Sequence, residues 1–382
     1  MTNDSRSRDP IRLGVIGTGL AVEQLHWPAL KRMPDRFQIV AFCDQSRPNA
    51  ERFAGYSGAS MDAYVADSGD LLRRDDVEAV LISLPIPLNY PASRAALEAG
   101  KHVICEKPAG ANLEEGRAFV ELAARYPEQT VLIAENWFYR DDLRLARSLL
   151  DQDEIGRVHL VAWRVVQQLV PRAGEFSSTP WRHRPGYEGG PHLDGGVHHI
   201  AQLRLLCGDA DRVSGEIQDA NAIFGGPSDL GLSLRFAGGT VGTYTASYPE
   251  LAVPREPSAL RLYGTEAVMT VTSREIQIQR PSGTVETHRV EQRDGGYYNE
   301  FLNFYEAVAN GAPVVGTVTQ SYRNLEIVLG GLESAQREQV FTIGQWPDRT
   351  LASAVPLWRP EGSTDLFGGL PTTVMREISQ AH

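Results

Sequence analysis

Two short stretches of this 382-residue chain carry side chains that could do chemistry together. One is "VICEKPAG" (103–110), an apolar run that ends in Glu106, Lys107 and Pro108. A buried strand end is a poor place to hide opposite charges and a good place to present them to a ligand. The other is "GYEGGPHLDGGVHHI" (186–200), in which Asp194 and His198 stand four apart and share a face if one helix begins here. An imidazole takes or gives a proton near neutral pH. A neighbouring carboxylate orients it or binds a substrate hydroxyl, and a lysine stabilises developing alkoxide charge. Lys107, His198 and Asp194 around a hydroxyl-bearing carbon suit alcohol oxidation: one group removes the hydroxyl proton while a hydride leaves for a cofactor.

The elements that would position these groups alternate in the first part of the chain. "IRLGVIG" (11–17) is a near-continuous apolar run, as expected of a strand buried on both faces. "GTGLAVEQLHWPALKRM" follows, and Gly17, Thr18, Gly19 and Leu20 form a tight turn into a helix, where backbone can approach a pyrophosphate. The third glycine of that fingerprint is Val22. "FQIVAFCD" (37–44) is a second strand ending in Asp44, whose carboxylate would bind both ribose hydroxyls and repel a 2′-phosphate. NAD(H) is therefore favoured, with NADP(H) the alternative because Ser46 and Arg47 follow closely. "VEAVLISLP" (77–85) is a strand, Asn89–Pro91 starts a helix that Gly100 stops, and "HVIC" is the next strand. Asn112 with Glu115 is a capping-box start for another helix, and "TVLIAEN" (130–136) closes the set. The alternation implies a doubly wound parallel sheet with ligands at the carboxyl ends of its strands. Gly17, Asp44, Ser83, Pro85, Glu106, Lys107 and Asn136 lie at those ends, with Asn136 placed to reach a carboxamide or the substrate.

The texture changes after a helical connector, "DDLRLARSLLDQDEIG". "VHLVAWRVV" (158–166) reads as a strand, a Pro-, Gly- and Arg-rich loop spans 171–192, and one helix runs from about 195 to 207. The β-prone runs that follow, joined by short glycine turns, make a largely antiparallel sheet. "NEFLNFYEAVANG" (299–311) is an amphipathic helix, and 343–382 reads as an extended tail. Trp181, Arg182 and Tyr187 either line a hydroxyl-rich substrate or pack under their loop. His192 and His199 read as pocket wall or hydrogen-bonding support for the site. Read as a metal cluster, His192, Asp194, His198 and His199 would struggle to share one ion, since the adjacent His198 and His199 diverge by about 100° on a helix; no metal is expected.

Composition narrows the partners. The net charge of −11, without a basic run, argues against nucleic acid. No apolar run approaches a bilayer span, and the polar "MTNDSRSRDP" start carries no signal or anchor, so no membrane partner is expected. Three scattered cysteines in apolar surroundings read as reduced thiols of a cytoplasmic protein.

On "GVIGTGLAVEQLHWPAL", "GKHVICEKPAG" and "WRHRPGYEGGPHLDGGVHHIAQLRLLCG" the chain resembles the Gfo/Idh/MocA family of NAD(P)-dependent oxidoreductases, across about 11–340. The resemblance implies a Rossmann domain (1–137) and an α+β substrate-binding domain with a large, mostly antiparallel open sheet (138–345). A C-terminal extension (346–382) packs on or extends from the second. It implies catalytic roles for Lys107, Asp194 and His198, a loop-shaping Pro108, a sugar, cyclitol or sugar-like substrate, and a homodimer or homotetramer. Val22, Tyr90 and Ala201 depart from the family pattern; many members carry at the last position a second acid that touches a sugar hydroxyl. Two other functions fit the resemblance: an enzyme that keeps NAD bound and oxidises transiently for elimination or glycoside cleavage, and a non-catalytic NAD(P)-sensing regulator.

Overall fold

A computed structural model of the protein describes residues 9–252, 258–291, 294–344, 354–368 and 372–380. The first residues of the polar N-terminal stretch and parts of the C-terminal extension lie outside these segments. Six strands form the first sheet: β1 (Ile11–Ile16), β2 (Phe37–Cys43), β3 (Tyr64–Val65), β4 (Ala79–Ile82), β5 (His102–Glu106) and β6 (Val131–Ala134). Their order is β3-β2-β1-β4-β5-β6, and every neighbouring pair is parallel. Helices cover both faces, so Leu13, Val15, Leu81, Ile104 and Leu132 are fully buried, which is why these strands read as unbroken apolar runs. The chain leaves β1 in one direction and returns at β4 on its other side. That reversal opens a crevice at the carboxyl ends of the strands.

The helices obey the start and stop chemistry of their sequences. Asn112 accepts a hydrogen bond from the Glu115 N–H at 2.8 Å, and Glu115 in turn accepts one from the Ala111 N–H at 2.6 Å, fixing the start of helix Leu113–Arg125. The helix expected from Asn89–Pro91 begins earlier and spans Ile86–Glu98. Pro87, in its first turn, is tolerated because the first-turn N–H groups have no helical partner to lose, while Pro91 sits inside the helix. After Gly19 the chain turns directly into a helix that widens into a π turn at Val22–His26 before Trp27–Leu30. Val22, in place of the third glycine, is fully buried in that turn.

Ten strands form the second sheet: β7 (Val158–Val166), β8 (Ala210–Gln218), β9 (Asp229–Phe236), β10 (Val241–Ser247), β11 (Leu260–Gly264), β12 (Val268–Val271), β13 (Ile276–Gln279), β14 (Thr284–Val290), β15 (Phe341–Thr342) and β16 (Val374–Gln380). The order is β15-β8-β9-β10-β7-β11-β12-β13-β14-β16. The β7–β10 pair is parallel and the other neighbours are antiparallel. Burial alternates along the strands: Leu230, Leu232, Leu234 and Phe236 face the core while Ser233 and Arg235 are exposed. One face is thus packed and the other open.

A 20-residue helix, Val318–Arg337, covers the packed face and lies nearly all buried. It approaches β8 so closely that a Cβ on Gly215 would stand 2.0 Å from the Gly331 carbonyl oxygen. The extension is more than a tail: β16 pairs with β14, Val355 and Trp358 are buried, and the Arg144 Nε–H donates to the Trp358 carbonyl at 3.1 Å. Where one helix was expected from about 195, there are two, Gly190–Asp194 and Val197–Cys207, broken at Gly195–Gly196. Because a side chain at 215 must push backbone apart, Gly215→Ala should destabilise the protein by about 1–3 kcal/mol. Urea unfolding should show the loss as a lower midpoint at unchanged slope.

Candidate active site

A cleft of about 1080 Å³ runs along the carboxyl ends of the first sheet and is closed from the other side by the loop and helices that follow β7. Gly17, Gly19, Leu20, Asp44, Ser83, Pro85, Glu106, Lys107, Asn136, Trp181, Arg182, Asp194 and His198 all line it. A second cavity, about 530 Å³ and bounded by Arg117, Glu326 and Arg337, shares no lining residue with it.

The nucleotide end is built on β1 and β2. Gly17 has φ +86°, and a Cβ there would meet the Ser83 carbonyl oxygen at 2.2 Å, so the turn requires glycine. A Cβ on Gly19 would meet nothing within 4 Å, because the space beyond it is the cleft. Thr18 is buried behind this turn rather than lining it. Its N–H and hydroxyl donate to Asp44 Oδ2 at 2.8 and 3.0 Å, and the Ser46 N–H donates to Oδ1 at 2.7 Å. A fixed carboxylate beside an open glycine turn fits a dinucleotide with its ribose at Asp44. The expected neighbours of a 2′-phosphate sit elsewhere. Ser46 caps the helix Arg47–Ser57, and Arg47 pairs with Glu51 at 2.9 Å along the exposed side of that helix. The cation that does line the cleft here is Arg52, hydrogen-bonded to Glu23 and Asn49.

The reactive end is built on β5 and β6. Neighbouring side chains at a strand end point opposite ways, and Glu106 and Lys107 do so. Glu106 Oε1 meets His26 Nε2 at 2.8 Å, inside the first half of the chain. Burial alone would raise the Glu106 carboxyl, but the His26 hydrogen bond and the charges of His26, Lys107 and His198 hold it below the usual carboxylate range. Lys107, whose bond to Pro108 is cis, reaches the other way. Its Nζ donates to the Asp194 carbonyl at 2.5 Å and to Asp194 Oδ1 at 3.3 Å.

Asp194 is also held by Arg182, whose Nε–H donates to Oδ2 at 2.5 Å and Nη2–H to Oδ1 at 3.2 Å. Burial would push this carboxyl up, yet Lys107 and Arg182 bring it down to about 2. Arg182 lies 4.0 Å from the centre of the Trp181 ring and bonds Thr179 with its remaining fork. Its donors are therefore spent on Asp194 and its own loop. Tyr187 packs against Trp181 and lines a small adjoining cavity with Arg182 and Asp194, not the cleft itself.

His198 is reached by a different carboxylate from the one its spacing suggests. The break at Gly195–Gly196 turns Asp194 away, and Glu135, at the end of β6, meets His198 Nδ1 through Oε1 at 2.6 Å. With Nδ1 engaged, Nε2 is the ring nitrogen left for a ligand. Trp137 stacks on the imidazole at 5.5 Å and 11°. His199 points to the second sheet, its Nδ1 on the Tyr244 hydroxyl at 2.7 Å and its ring edge-on to Trp163. Burial first, and the neighbouring His198, His192 and Arg140 after it, lower it to about 3, so it is a neutral core residue. Asn136 lines the cleft, but its Nδ2–H is donated to the Gly295 carbonyl at 2.8 Å. Among the lining residues that were not anticipated are Tyr297, at the start of the helix Tyr297–Asn310, and Arg52. Ala201, one turn beyond His198, is buried in the core. Among the described residues no group of three or more His, Cys, Asp or Glu could hold a metal ion, and no helix is long and apolar enough to cross a membrane.

Residues 11–133 match the profile of the oxidoreductase family with an NAD-binding Rossmann fold, and residues 143–270 match the GFO/IDH/MocA C-terminal domain. The chain belongs to the Gfo/Idh/MocA family of oxidoreductases. A dTDP-3,4-didehydro-2,6-dideoxy-alpha-D-glucose 3-reductase of Streptomyces violaceoruber is 30% identical over 288 residues, which cover 72% of this chain and 79% of the reductase. A solved oxidoreductase of Thermotoga maritima aligns at 33% identity and a TM-score of 0.79, over 87% of this chain and 98% of its own. The WlbA dehydrogenase of Bordetella pertussis, solved with NADH and UDP-GlcNAcA, shares the fold at 16% identity and a TM-score of 0.75, over 88% of this chain and 99% of its own.

The Asp194 carboxyl titrates at about 2 in the folded protein, below the roughly 3.9 of an unfolded aspartate, so its stabilisation is present above about pH 4 and fades as pH falls through 2. The stability gap between wild type and Asp194→Asn should therefore shrink by on the order of 1 kcal/mol between pH 7 and pH 3. Urea titrations of both proteins at the two pH values measure it.

Proposed function

We propose that this protein is an NAD(P)-dependent dehydrogenase or reductase acting on a secondary alcohol, or the matching ketone, of a sugar, cyclitol or sugar-like metabolite. The observation that carries this reading is the meeting of Lys107, from the first sheet, with Asp194 and His198, from the second half, in the cleft that also holds the glycine turn and Asp44. The nicotinamide of a bound dinucleotide supplies the hydride acceptor or donor. His198 takes the hydroxyl proton on Nε2 as the C–H hydride departs, breaking the O–H bond and leaving a C=O; in reduction it returns that proton. Lys107 donates a hydrogen bond to the oxygen on which negative charge develops. Asp194 anchors Lys107 and offers a carboxylate to a second substrate hydroxyl. The sugar nucleotide in the name of the Streptomyces reductase supports the substrate class.

NAD(H) is the favoured cofactor, because a 2′-phosphate would stand against the Asp44 carboxylate; among the described residues Arg52 is the cation lining that end that could favour NADP(H). The exposed face of the second sheet, with Thr243 and Thr245 on β10, supports pairing into a homodimer or homotetramer.

Nicotinamide absorbance across a panel of sugars, polyols, keto-sugars and sugar nucleotides, with both cofactors, tests the reading. Turnover should appear with NAD(H) in preference to NADP(H). Lys107→Ala and His198→Ala should each lose at least about a hundredfold in turnover while binding NAD+ as wild type does. Unimpaired turnover in both variants would remove these residues from the mechanism.

A further inference from the structure

We infer that Glu135 is the positioning residue for His198: it accepts the Nδ1–H, and so commits Nε2 to the cleft as the nitrogen that exchanges the substrate proton. The inference rests on His198 being the acid/base group. Glu135 is fully buried, and its Oε1 stands 2.6 Å from His198 Nδ1 while also accepting the Trp137 N–H at 3.3 Å. The same short segment therefore holds the imidazole from two directions, Glu135 at its edge and the Trp137 ring on its face at 5.5 Å. Asp194 does not take this part: the break at Gly195–Gly196 turns it away from His198, toward Lys107 and Arg182. A ring nitrogen's protonation follows the partner that the other nitrogen meets. An acceptor at Nδ1 therefore leaves the lone pair on Nε2, where a substrate hydroxyl can deliver its proton.

A buried carboxyl behind the site fits this assignment. Glu300, on the helix Tyr297–Asn310, is fully buried, and neither of its oxygens has a hydrogen-bond partner in the protein. Glu135 Oε2 is buried and unpartnered as well. Burial, and the charges of Glu106, Glu135 and Asp294 after it, push the Glu300 carboxyl well above its ordinary value. Glu300 is thus the carboxyl of this group driven toward its protonated form, while Glu135 is the one that meets the imidazole of His198.

The test is the tautomer of His198. Protein labelled with 15N-histidine and saturated with NAD+ reports it through ring nitrogen shifts, with His198 assigned by its absence in His198→Asn. Wild type and Glu135→Gln should carry the neutral ring's proton on Nδ1. Glu135→Leu should move it to Nε2 and lower turnover about a hundredfold, with NAD+ affinity within twofold of wild type. Glu135→Gln, which keeps an acceptor, should recover part of that turnover. A merely structural glutamate would leave the tautomer where it is. A wild-type ring protonated on Nε2 overturns the inference even where Glu135→Leu does not fold. Full turnover in His198→Asn would instead sink the acid/base reading, while the tautomer would still report on Glu135.

Discussion

The structure depends on one partly buried carboxylate held between two cations. Removing a carboxylate from water costs several kcal/mol, and the attraction of a partner offsets this only when geometry is good and the remaining lone pairs are satisfied. Asp194 meets that condition through a lysine from the end of β5 and an arginine from the loop after β7, with the arginine engaging both of its oxygens. Lys107 also takes the Asp194 main-chain carbonyl, so the contact fixes backbone as well as side chain. The two halves of the chain therefore meet at a point where separation would strand charges on both sides. The cleft is polar at this point, and each of these charges has a counterpart.

The adjacent His–Glu pairs extend the same logic inward. His26 with Glu106 and His198 with Glu135 flank the base of Lys107, and Glu300 lies behind them on a helix whose Tyr297 and Phe301 rings meet His26 edge-on at 5.6 and 5.7 Å. Three carboxyls so close together cannot all be charged without mutual repulsion. The one with no hydrogen-bond partner, Glu300, is driven toward its protonated form, and the other two face histidines. That division gives Glu106 an inward duty and leaves Lys107 as the half of the pair presented to a ligand.

Much of this was legible in the sequence, and the exceptions share a cause. β1, β2 and β4 to β6 were readable because strands covered on both faces need continuous apolar runs, and β7 matches its run residue for residue. β3, with two residues, has no pattern to read, and β8 carries Asp211, Arg212 and Glu216 on its solvent side. The helix Val318–Arg337 was hidden because it buries Gln320, Arg323, Asn324 and Glu326, which breaks the amphipathic stripe. At the site, residue types were legible but their pairing was not. A spacing of four implies a shared face only within one helix, and Gly195–Gly196 end that helix between Asp194 and His198. Glu135 lies 63 positions from its histidine, a distance no local pattern spans.

Strand order, finally, explains why the chemical groups fall where they do along the cleft. Asp44 ends β2, the glycine turn ends β1, and Lys107 follows β5, with β4 between. Neighbouring strands are about 4.8 Å apart, so three steps from β2 to β5 cover roughly 14 Å. A dinucleotide laid across the crevice with its ribose at Asp44 and its pyrophosphate over Gly17 and Gly19 therefore carries its far end toward Lys107. There the second half of the chain supplies Asp194 and His198. On the proposed mechanism neither half holds both ends of the reaction: the first has the cofactor edge and one lysine, the second the histidine proposed as acid/base group. The polar contact between them at Asp194 is thus the joint that brings the end of β5 and the second half of the chain to one cleft.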